Sequence, residues 1–423
     1  MQLLANPGYD PKMEMLASFD PSNFDVQDCE LTLDELTHHW GRIWAPFSGF
    51  ELATREDKTV LVGAIFSAVL RQVLPTCPAF AFDAPMQGSG KTLLAETISV
   101  IGTAKKPSAV APSRGDYDDE FRKRLMAIFL NGTKVCNFDN IVGNFDSPSL
   151  AGALTSETYE DRILGKSKTG RILNKTLFLF TGNNMQFVGD MSRRVLKARL
   201  CPKNDRVSER VFEFDPTERA LEMRCEIISS VISVVNHWKH SGMVRVPGSM
   251  TSFGDWDRLV RQPIAYLGES LPETGLGDLL AISVDQQSHS GDKEALIALL
   301  KSLAAVLGID TRFRASKALQ AMHDQSSKIG QSLLADAVYA FISREKLQSS
   351  QHLGNLLKQF IDRNVEGLVL RARLQSGSNI YWVELNENSH RESIELMRQR
   401  SYSSALVDGD KIVSLPSIPR KTP

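Results

Sequence analysis

The sequence predicts an α/β fold on a parallel sheet, followed by a smaller domain. Short apolar segments alternate with helical patterns at 79–82, 108–112, 134–139, 175–180 and 195–200, the alternation typical of such sheets. A glycine-rich turn ending in Lys-Thr stands between the first of these strands and the next helix. Towards the C-terminus, helical patterns precede a strand–turn–strand, 368–373 and 380–385. The second domain is therefore predicted to be a winged helix.

The turn after the first strand has the features of a phosphate-binding loop. Glycines allow backbone N–H groups to surround phosphates, and the following helix adds its positive end. Lys91 is expected to reach the β- and γ-phosphates, while the Thr92 hydroxyl holds Mg²⁺. Pro85 occupies the place of the usual first glycine, but the residues that touch phosphate are kept. We expect ATP and Mg²⁺ as cofactors, bound by Gln87, Gly88, Ser89, Gly90, Lys91 and Thr92.

Composition fits a protein of two or three domains, with 423 residues and 42% hydrophobic content. A net charge of −1 means that nucleic acid would have to be bound by local basic patches. The longest apolar run, 59–70, is shorter than the roughly 20 residues that cross a bilayer. No export signal is seen, and five scattered cysteines indicate reduced thiols without zinc. We expect a cytoplasmic protein without a membrane partner.

Four regions are predicted along the chain. Residues 1–75 form a mostly helical N-terminal region, whose first 35 residues are irregular and whose two helices are interrupted at 44–47. Residues 76–284 form the nucleotide-binding domain, which ends in a lid containing one long helix, 216–240. A linker at 285–292 leads to the winged helix, 292–386, with helices at 294–307, 317–322, 332–346 and 352–362. Residues 387–423 form a flexible tail.

The third predicted strand ends in Asp139, at the sheet edge where the phosphate-binding loop lies. Asp139 is predicted to hold Mg²⁺ together with Thr92. Many ATPases place a glutamate next to orient the attacking water, but here Asn140 follows and cannot take a proton. Glu120, in an acidic turn before a helix, is a candidate base. The alternative, which we favour at this stage, is that this turn only caps its helix.

Three further segments carry candidate site residues. Asn183 follows the fourth strand and can sense the γ-phosphate, although Gly-Asn pairs also favour plain turns. Arg193 and Arg194 can serve as an arginine finger for a neighbouring subunit, or lie on a solvated surface. Between strands three and four, a hairpin pattern at 158–173 offers basic residues to DNA phosphates, or protects a sheet edge. These DNA-binding candidates are Lys166, Lys168 and Arg171.

Several motifs together resemble the AAA+ helicase-like ATPases of phages and other mobile genetic elements, which are often associated with a primase. The resemblance covers roughly residues 40–270 and includes both the proline-containing loop and the Asp139-Asn140 pair. More distantly, the hairpin is similar to that of superfamily 3 and minichromosome maintenance helicases. The matching segments are 41–47, 84–96, 139–140, 154–156, 161–167, 181–184, 192–194 and 256–263.

The resemblance implies a ring, expected to be a homo-hexamer, that hydrolyses ATP between subunits and pulls single-stranded DNA through its centre. The function predicted from the sequence is thus an ATP-dependent DNA helicase or translocase of a phage or mobile element. It would act in DNA replication on single-stranded or forked DNA, with a separate primase-polymerase as a possible partner. The main alternative is a non-unwinding AAA+ initiator or loader. A metabolic P-loop kinase ranks far behind, because it has no use for the arginine pair.

In the predicted winged helix, the segment 349–363 would enter a DNA groove, with four basic residues near phosphates. The other interpretation is that this module packs against the ring or a protein. Both stay open because amide side chains and histidine, rather than arginine and lysine, dominate the segment. The four basic residues are Lys358, Arg363, Arg371 and Arg373.

Overall fold

The computed structural model describes residues 7–11, 15–86, 88–110, 118–162, 169–202, 213–288, 291–323, 330–342, 344–375 and 378–385. The chain divides into two compact units, Met1–Gly291 and Asp292–Pro423. Each has its own apolar core. In the described residues, no helix is both long enough and apolar enough to span a membrane.

The strands and helices are numbered in chain order. The strands are β1 (Gly8–Asp10), β2 (Met15–Ala17), β3 (Ala79–Asp83), β4 (Ser108–Val110), β5 (Val135–Phe145), β6 (Thr158–Arg162), β7 (Thr169–Leu173), β8 (Leu177–Phe187), β9 (Val195–Arg199), β10 (Asn364–Val365), β11 (Leu368–Gln375) and β12 (Ser378–Leu385). The helices are α1 (Leu33–Trp44), α2 (Arg55–Leu70), α3 (Lys91–Thr103), α4 (Asp118–Leu130), α5 (Pro148–Leu154), α6 (Pro216–Glu222), α7 (Arg224–His240), α8 (Gly254–Trp256), α9 (Gln262–Ser270), α10 (Leu279–Ser288), α11 (Gly291–Leu307), α12 (Ala315–His323), α13 (Gly330–Tyr339) and α14 (Ser350–Lys358).

A five-stranded sheet forms the centre of the first unit, in the order β4-β5-β8-β3-β9. All four neighbouring pairs are parallel, which confirms the predicted α/β class and its parallel sheet. β3 is buried along its whole length, as expected of a strand with both faces covered. The strands β3, β8 and β5 are neighbours and run in the same direction. The chain segments that follow them therefore lie close together at the carboxyl edge of the sheet.

Strands β5 and β8 are longer than the sequence patterns predicted. We expected them to end at Asp139 and Phe180, but they continue pairing to Phe145 and Phe187. The register shifts between Phe138 and Ile141, so that a bulge accommodates Asp139 and Asn140. Asn140 there takes a positive φ of 61°, which asparagine tolerates better than most residues. The bulge interrupts the alternation of side chains between the two faces of the sheet. A prediction based on that alternation therefore ends the strand too early.

Gly182 lies opposite this bulge, and replacing it with alanine is expected to destabilise the sheet. A Cβ at position 182 would stand 2.0 Å from the Ile141 carbonyl oxygen, which is backbone and cannot swing aside. We expect Gly182→Ala to lower the free energy of unfolding by about 3 kcal/mol, measured by urea denaturation. Gly152→Ala in α5 is the matched control, since no atom lies within 4 Å of its added methyl group. Equal stability of both variants would contradict the close approach of the Ile141 carbonyl oxygen to Gly182.

Several predicted boundaries were wrong. The expected long helix 216–240 is two helices, α6 and α7, separated at Met223. The expected linker 285–292 is largely helical, because α10 runs to Ser288 and α11 begins at Gly291. The irregular first segment contains the antiparallel pair β1–β2. The two expected helices before β3 are present as α1 and α2, with a 3-10 turn between them at Ala45–Phe47.

An extended strap at 25–31 fastens the N-terminal region to α7. The backbone N–H groups of Asp25 and Gln27 donate to the hydroxyls of Ser229 and Ser233, at 3.1 and 2.9 Å. The Leu31 N–H donates to His237 Nδ1 at 2.9 Å. The three acceptors recur every four residues along α7 and so lie on one face of the helix.

The motif at 256–263 is structural. It runs from α8 through a π-helical turn, Asp257–Arg261, into α9. The Arg261 guanidinium is fully buried and donates to the Asp257 and Asp278 carboxylates at 2.8 and 2.6 Å. Burial acts to lower its pKa, but the hydrogen bonds that Arg261 donates to these two carboxylates, together with their negative charges, prevail and raise it. The Trp256 indole N–H donates to Ser67 Oγ at 2.7 Å, which joins this motif to α2.

The second unit contains α12–α14, most of α11, and a three-stranded antiparallel sheet in the order β10-β11-β12. The predicted strand–turn–strand is thus present, and both strands are longer than expected. Its core includes Leu299, Leu300, Leu334, Leu357 and Val383. Helices are present at all four predicted places. The first of them, α11, ends at Leu307 as predicted, but the others begin and end at different residues; the helix expected at 332–346, for example, is Gly330–Tyr339.

Candidate active site

The glycine-rich loop that the sequence suggested for phosphate binding follows β3 at the carboxyl edge of the sheet. Gly88 and Gly90 adopt positive φ angles of 77° and 85°, which a glycine reaches without the strain of a Cβ. The Ser89 hydroxyl donates to the Met86 carbonyl oxygen and closes the turn. Gln87 lies outside the described residues. α3 begins at Lys91, directly after Gly90, so the loop delivers this side chain at the start of the helix.

Lys91 is buried and its ammonium group is held inside the site. Its Nζ donates to Asn183 Oδ1 at 2.8 Å and to the Met86 carbonyl oxygen at 3.0 Å. Burial lowers the pKa of Lys91, and the nearby Asp83 and Asp139 carboxylates counteract part of that effect. Since an ammonium group can only donate, the Asn183 amide turns its oxygen to Lys91. Its NH₂ group thereby remains a donor for another acceptor.

Asp139 lies in the β5 bulge and accepts hydrogen bonds from two hydroxyls. Thr92 Oγ1 donates to its Oδ1 at 3.3 Å, and Thr181 Oγ1 donates to the same oxygen. The Asn137 amide nitrogen donates in turn to Thr181 Oγ1 at 3.2 Å. This arrangement links the P-loop helix, β5 and β8 through side chains. The structure thus brings together Lys91, Thr92, Asp139 and Asn183, all four of which the sequence had suggested as site residues.

The sequence analysis missed two residues of this group, Thr181 and Asp83. Thr181 was seen only as part of a turn motif, yet it bridges Asp139 and Asn137. Asp83 ends β3, is buried, and accepts a hydrogen bond from the Met185 N–H at 3.3 Å. An acid at the end of an apolar strand was the signal used for Asp139, and the same signal was present for Asp83.

The oxygen atoms at this site suit Mg²⁺, a hard cation that prefers carboxylate, hydroxyl and phosphate ligands. Thr92 and Asp139 would supply one hydroxyl and one carboxylate, which leaves further positions for nucleotide phosphates and water. The described residues contain no group of three or more His, Cys, Asp and Glu side chains that could hold a metal ion by themselves. A metal at this edge would therefore depend on the phosphates for part of its coordination.

Glu120 lies in the first turn of α4 and is exposed. Its carboxylate binds the Lys123 ammonium, and this hydrogen bond lowers the pKa of Glu120. A lower pKa makes the carboxylate a weaker proton acceptor, so this pair would have to open for Glu120 to act as a base. Nearby, Asp118 accepts hydrogen bonds from Ser147 Oγ at 3.1 Å and from the Ser149 N–H at 3.2 Å. Asp118 thus ties α4 to the start of α5.

Arg193 and Arg194 lie at the opposite edge of the sheet from the phosphate-binding loop. The Arg194 carbonyl oxygen accepts a hydrogen bond from the N–H of Ala79, the first residue of β3, at 3.0 Å. Lys91 follows the other end of that strand. Five residues of strand rise by roughly 13 Å from the first to the last, so neither arginine adjoins the glycine-rich loop of the same chain.

The two arginines differ in exposure. The Arg193 side chain is 51% exposed and its Nη2 contacts Asp190 Oδ1 at 2.8 Å. The Arg194 side chain is only 11% exposed, with Nη2 at 3.5 Å from Asp190 Oδ2. Burial lowers the pKa of Arg194. Its Nε is buried and has no hydrogen-bond partner among the described residues. Arg193 is therefore the arginine that a neighbouring molecule can reach.

The predicted hairpin is formed by β6 and β7, which pair antiparallel. Its tip, 163–168, lies outside the described residues, and so do Lys166 and Lys168. Arg171 on β7 is exposed, with its Nε at 3.4 Å from Thr158 Oγ1. The Arg122 guanidinium on α4 binds both carboxylate oxygens of Asp161 in β6, at 2.9 and 3.0 Å. This pair holds the hairpin against α4.

A buried guanidinium supports the hairpin where it joins β8. Arg71, which is 3% exposed, donates to the carbonyl oxygens of Asn174, Thr176 and Leu74 at 2.7, 2.9 and 2.7 Å. Burial lowers the pKa of Arg71. The sequence contained no signal for this role, because the residues it joins are about a hundred positions apart.

No protein-family model matches this chain, and no curated protein does. Among solved structures, an apo form of the C-terminal region of NrS-1 is similar to it, with a TM-score of 0.38 and 12% identity. That similarity covers 90% of this chain and 84% of the other. The JCV helicase with a bound acetamide compound has a TM-score of 0.24 and 11% identity, over 60% of this chain and 71% of the other. Both similarities are weak, and the functional argument therefore rests on the residues of this chain.

Proposed function

We propose that the first unit is an ATPase that moves or unwinds DNA as a ring of identical subunits. One observation carries the ATPase part: Lys91 and Thr92, at the start of the P-loop helix, contact Asn183 and Asp139 on two neighbouring strands. A loop lysine, a metal-binding hydroxyl, an acid and a polar sensor at one sheet edge are the parts that hydrolysis of a nucleoside triphosphate requires.

In the proposed mechanism, the backbone of Gly88–Gly90 and the start of α3 bind the phosphates of ATP. Lys91 exchanges its bond with Asn183 for a contact with the β- and γ-phosphates. Its departure frees the Asn183 amide to orient the γ-phosphate or the attacking water. Thr92 and Asp139 would hold Mg²⁺, and the ion would supply positive charge against the phosphate oxygens. Glu120 is retained as a candidate base, since Asn140 cannot accept a proton.

Hydrolysis between subunits is supported by the position of the arginine pair. Arg193 and Arg194 are separated from their own P-loop by the length of β3, so charge from this pair would have to reach the nucleotide of a neighbouring copy. A ring supplies such a neighbour at every site. A hexamer is the ring size that the sequence resemblance implies.

The DNA-linked part of the proposal rests on the β6–β7 hairpin and the resemblance to helicases of phages and mobile elements. Its lysine-containing tip would grip phosphates of single-stranded DNA in the ring channel. In that role the protein acts as a helicase or translocase in DNA replication, beside a separate primase-polymerase. A loader or initiator that uses ATP as an assembly switch remains the alternative, and Asn140 favours it because slow hydrolysis suits a switch.

A double substitution in the hairpin separates these two functions. We expect Lys166→Ala with Lys168→Ala to abolish the increase in ATP turnover on addition of single-stranded DNA, while turnover without DNA is unchanged. The reason is that the two ammonium groups contact DNA and not ATP. Lys301→Ala with Lys317→Ala in the second unit removes the same charge and serves as the control. Full DNA stimulation in the hairpin variant would contradict the assignment.

A further inference from the structure

The second unit contains an open groove of about 410 Å³ between α12, α14 and the β11–β12 pair. Its floor is formed by Tyr381, whose hydroxyl donates to the Gly354 carbonyl oxygen at 3.1 Å. None of its lining residues is a carboxylate, although the chain as a whole carries 50 Asp and Glu residues against 49 Lys and Arg. The groove is therefore more positive than the average surface of this protein.

Two cations border the groove, Arg314 just before α12 and Lys358 at the end of α14. Both are exposed, and neither has an ion-pair partner within the part of the chain that the structure describes. Of the other three cations of this unit that the sequence suggested for DNA, Arg373 is exposed on β11 but does not line the groove, and the remaining two contact neighbouring side chains. Arg371 is bound by Asp362 and Glu384, at 2.8 and 3.2 Å, and Arg363 lies over the Phe360 ring.

The exposed face of α14 carries both amide side chains of this helix. Gln351, Asn355 and Lys358 all line the groove and recur at helical spacing, while Leu353, Leu356 and Leu357 are buried. Amide side chains can pair with the N6 and N7 atoms of adenine in the major groove of DNA. A cation at the end of such a face is suited to a backbone phosphate.

We propose that this groove binds the phosphate backbone of double-stranded DNA, with α14 directed at the base edges. Arg314 and Lys358 contact phosphates on either side, and Gln351 and Asn355 face the bases. A duplex fits better than a single strand, because the one aromatic residue among the lining residues, Tyr381, is buried and offers no surface for stacking bases. The site is independent of ATP hydrolysis and does not require the proposed function of the first unit.

The test measures binding of the full chain to a fluorescent 20-base-pair duplex without ATP, by anisotropy at several salt concentrations. We expect Arg314→Gln with Lys358→Gln to weaken binding by about tenfold and to reduce the salt dependence by about two counterions. Lys301→Gln with Arg344→Gln changes the net charge equally outside the groove and should leave both values unchanged. All four residues are on the surface, and thermal melting confirms that the variants fold.

Three results would overturn the proposal. Equal losses in the groove and control variants would show that general charge, and not this groove, attracts the duplex. Unchanged binding in the groove variant would remove the site altogether. A groove variant that loses affinity only for a single strand of the same length would show that the ligand is not a duplex.

Discussion

Replacement of Arg193 by alanine is expected to reduce ATP turnover by about 10³-fold, the lower end of the range for an arginine that stabilises phosphoryl transfer. The guanidinium is half exposed, lies at the amino edge of the sheet, and contacts the Asp190 carboxylate. It would thus act on the nucleotide of a neighbour. Steady-state phosphate release at saturating ATP measures the effect.

Mixed assemblies distinguish action between subunits from action within one. Arg193→Ala and Lys91→Ala subunits should each be inactive alone, yet mixing them creates interfaces that carry an intact Lys91 and an intact Arg193. Recovery of turnover on mixing is the expected result. No recovery, with stable mixed rings present, would contradict hydrolysis between subunits. Arg258→Ala is a suitable control, because that arginine also forms an exposed pair, with Asp255 at 2.7 Å.

Replacement of Lys91 by alanine is expected to reduce ATP turnover by at least about 10²-fold, as loss of one preorganised charged donor does in other active sites. The substitution removes the ammonium group that joins the glycine-rich loop to Asn183 and leaves the Asn183 oxygen without its lysine donor. ATP binding should weaken as well, which titration with a fluorescent ATP analogue would show. Lys105→Ala, on the exposed surface after α3, is the matched control. Normal turnover in the Lys91 variant would exclude this site as the ATPase centre.

Local sequence predicted the parts of the site that depend on a few adjacent residues. The Gly-Ser-Gly-Lys-Thr turn, the acid at Asp139 and the asparagine at 183 could each be found from a strand and the residues after it. Their meeting could be predicted too, because parallel strands place their carboxyl ends at one edge. The contact between Lys91 and Asn183, 92 positions apart, follows from β8 lying beside β3.

Features that depend on distant backbone could not be predicted. The β5 bulge breaks the alternation by which strands are recognised, so the extensions of β5 and β8 were missed. Arg71 donates to backbone carbonyl oxygens. Because every residue has such an oxygen, the partners of Arg71 cannot be recognised from their residue types. The strap at 25–31 binds α7 mainly through its backbone N–H groups, so its side chains contain no pattern that would predict this contact. In the second unit, the sequence identified Lys358, but the pairing of Arg371 with two carboxylates became visible only in three dimensions.

The most direct test of the central claim is steady-state ATP hydrolysis by the wild-type protein with and without single-stranded DNA. The account predicts turnover that rises with DNA concentration to a plateau and that is absent in Lys91→Ala under both conditions. Such a result would establish a nucleic-acid motor and justify a forked-duplex unwinding assay. Turnover that is the same with and without DNA would contradict the motor and support the loader or initiator alternative.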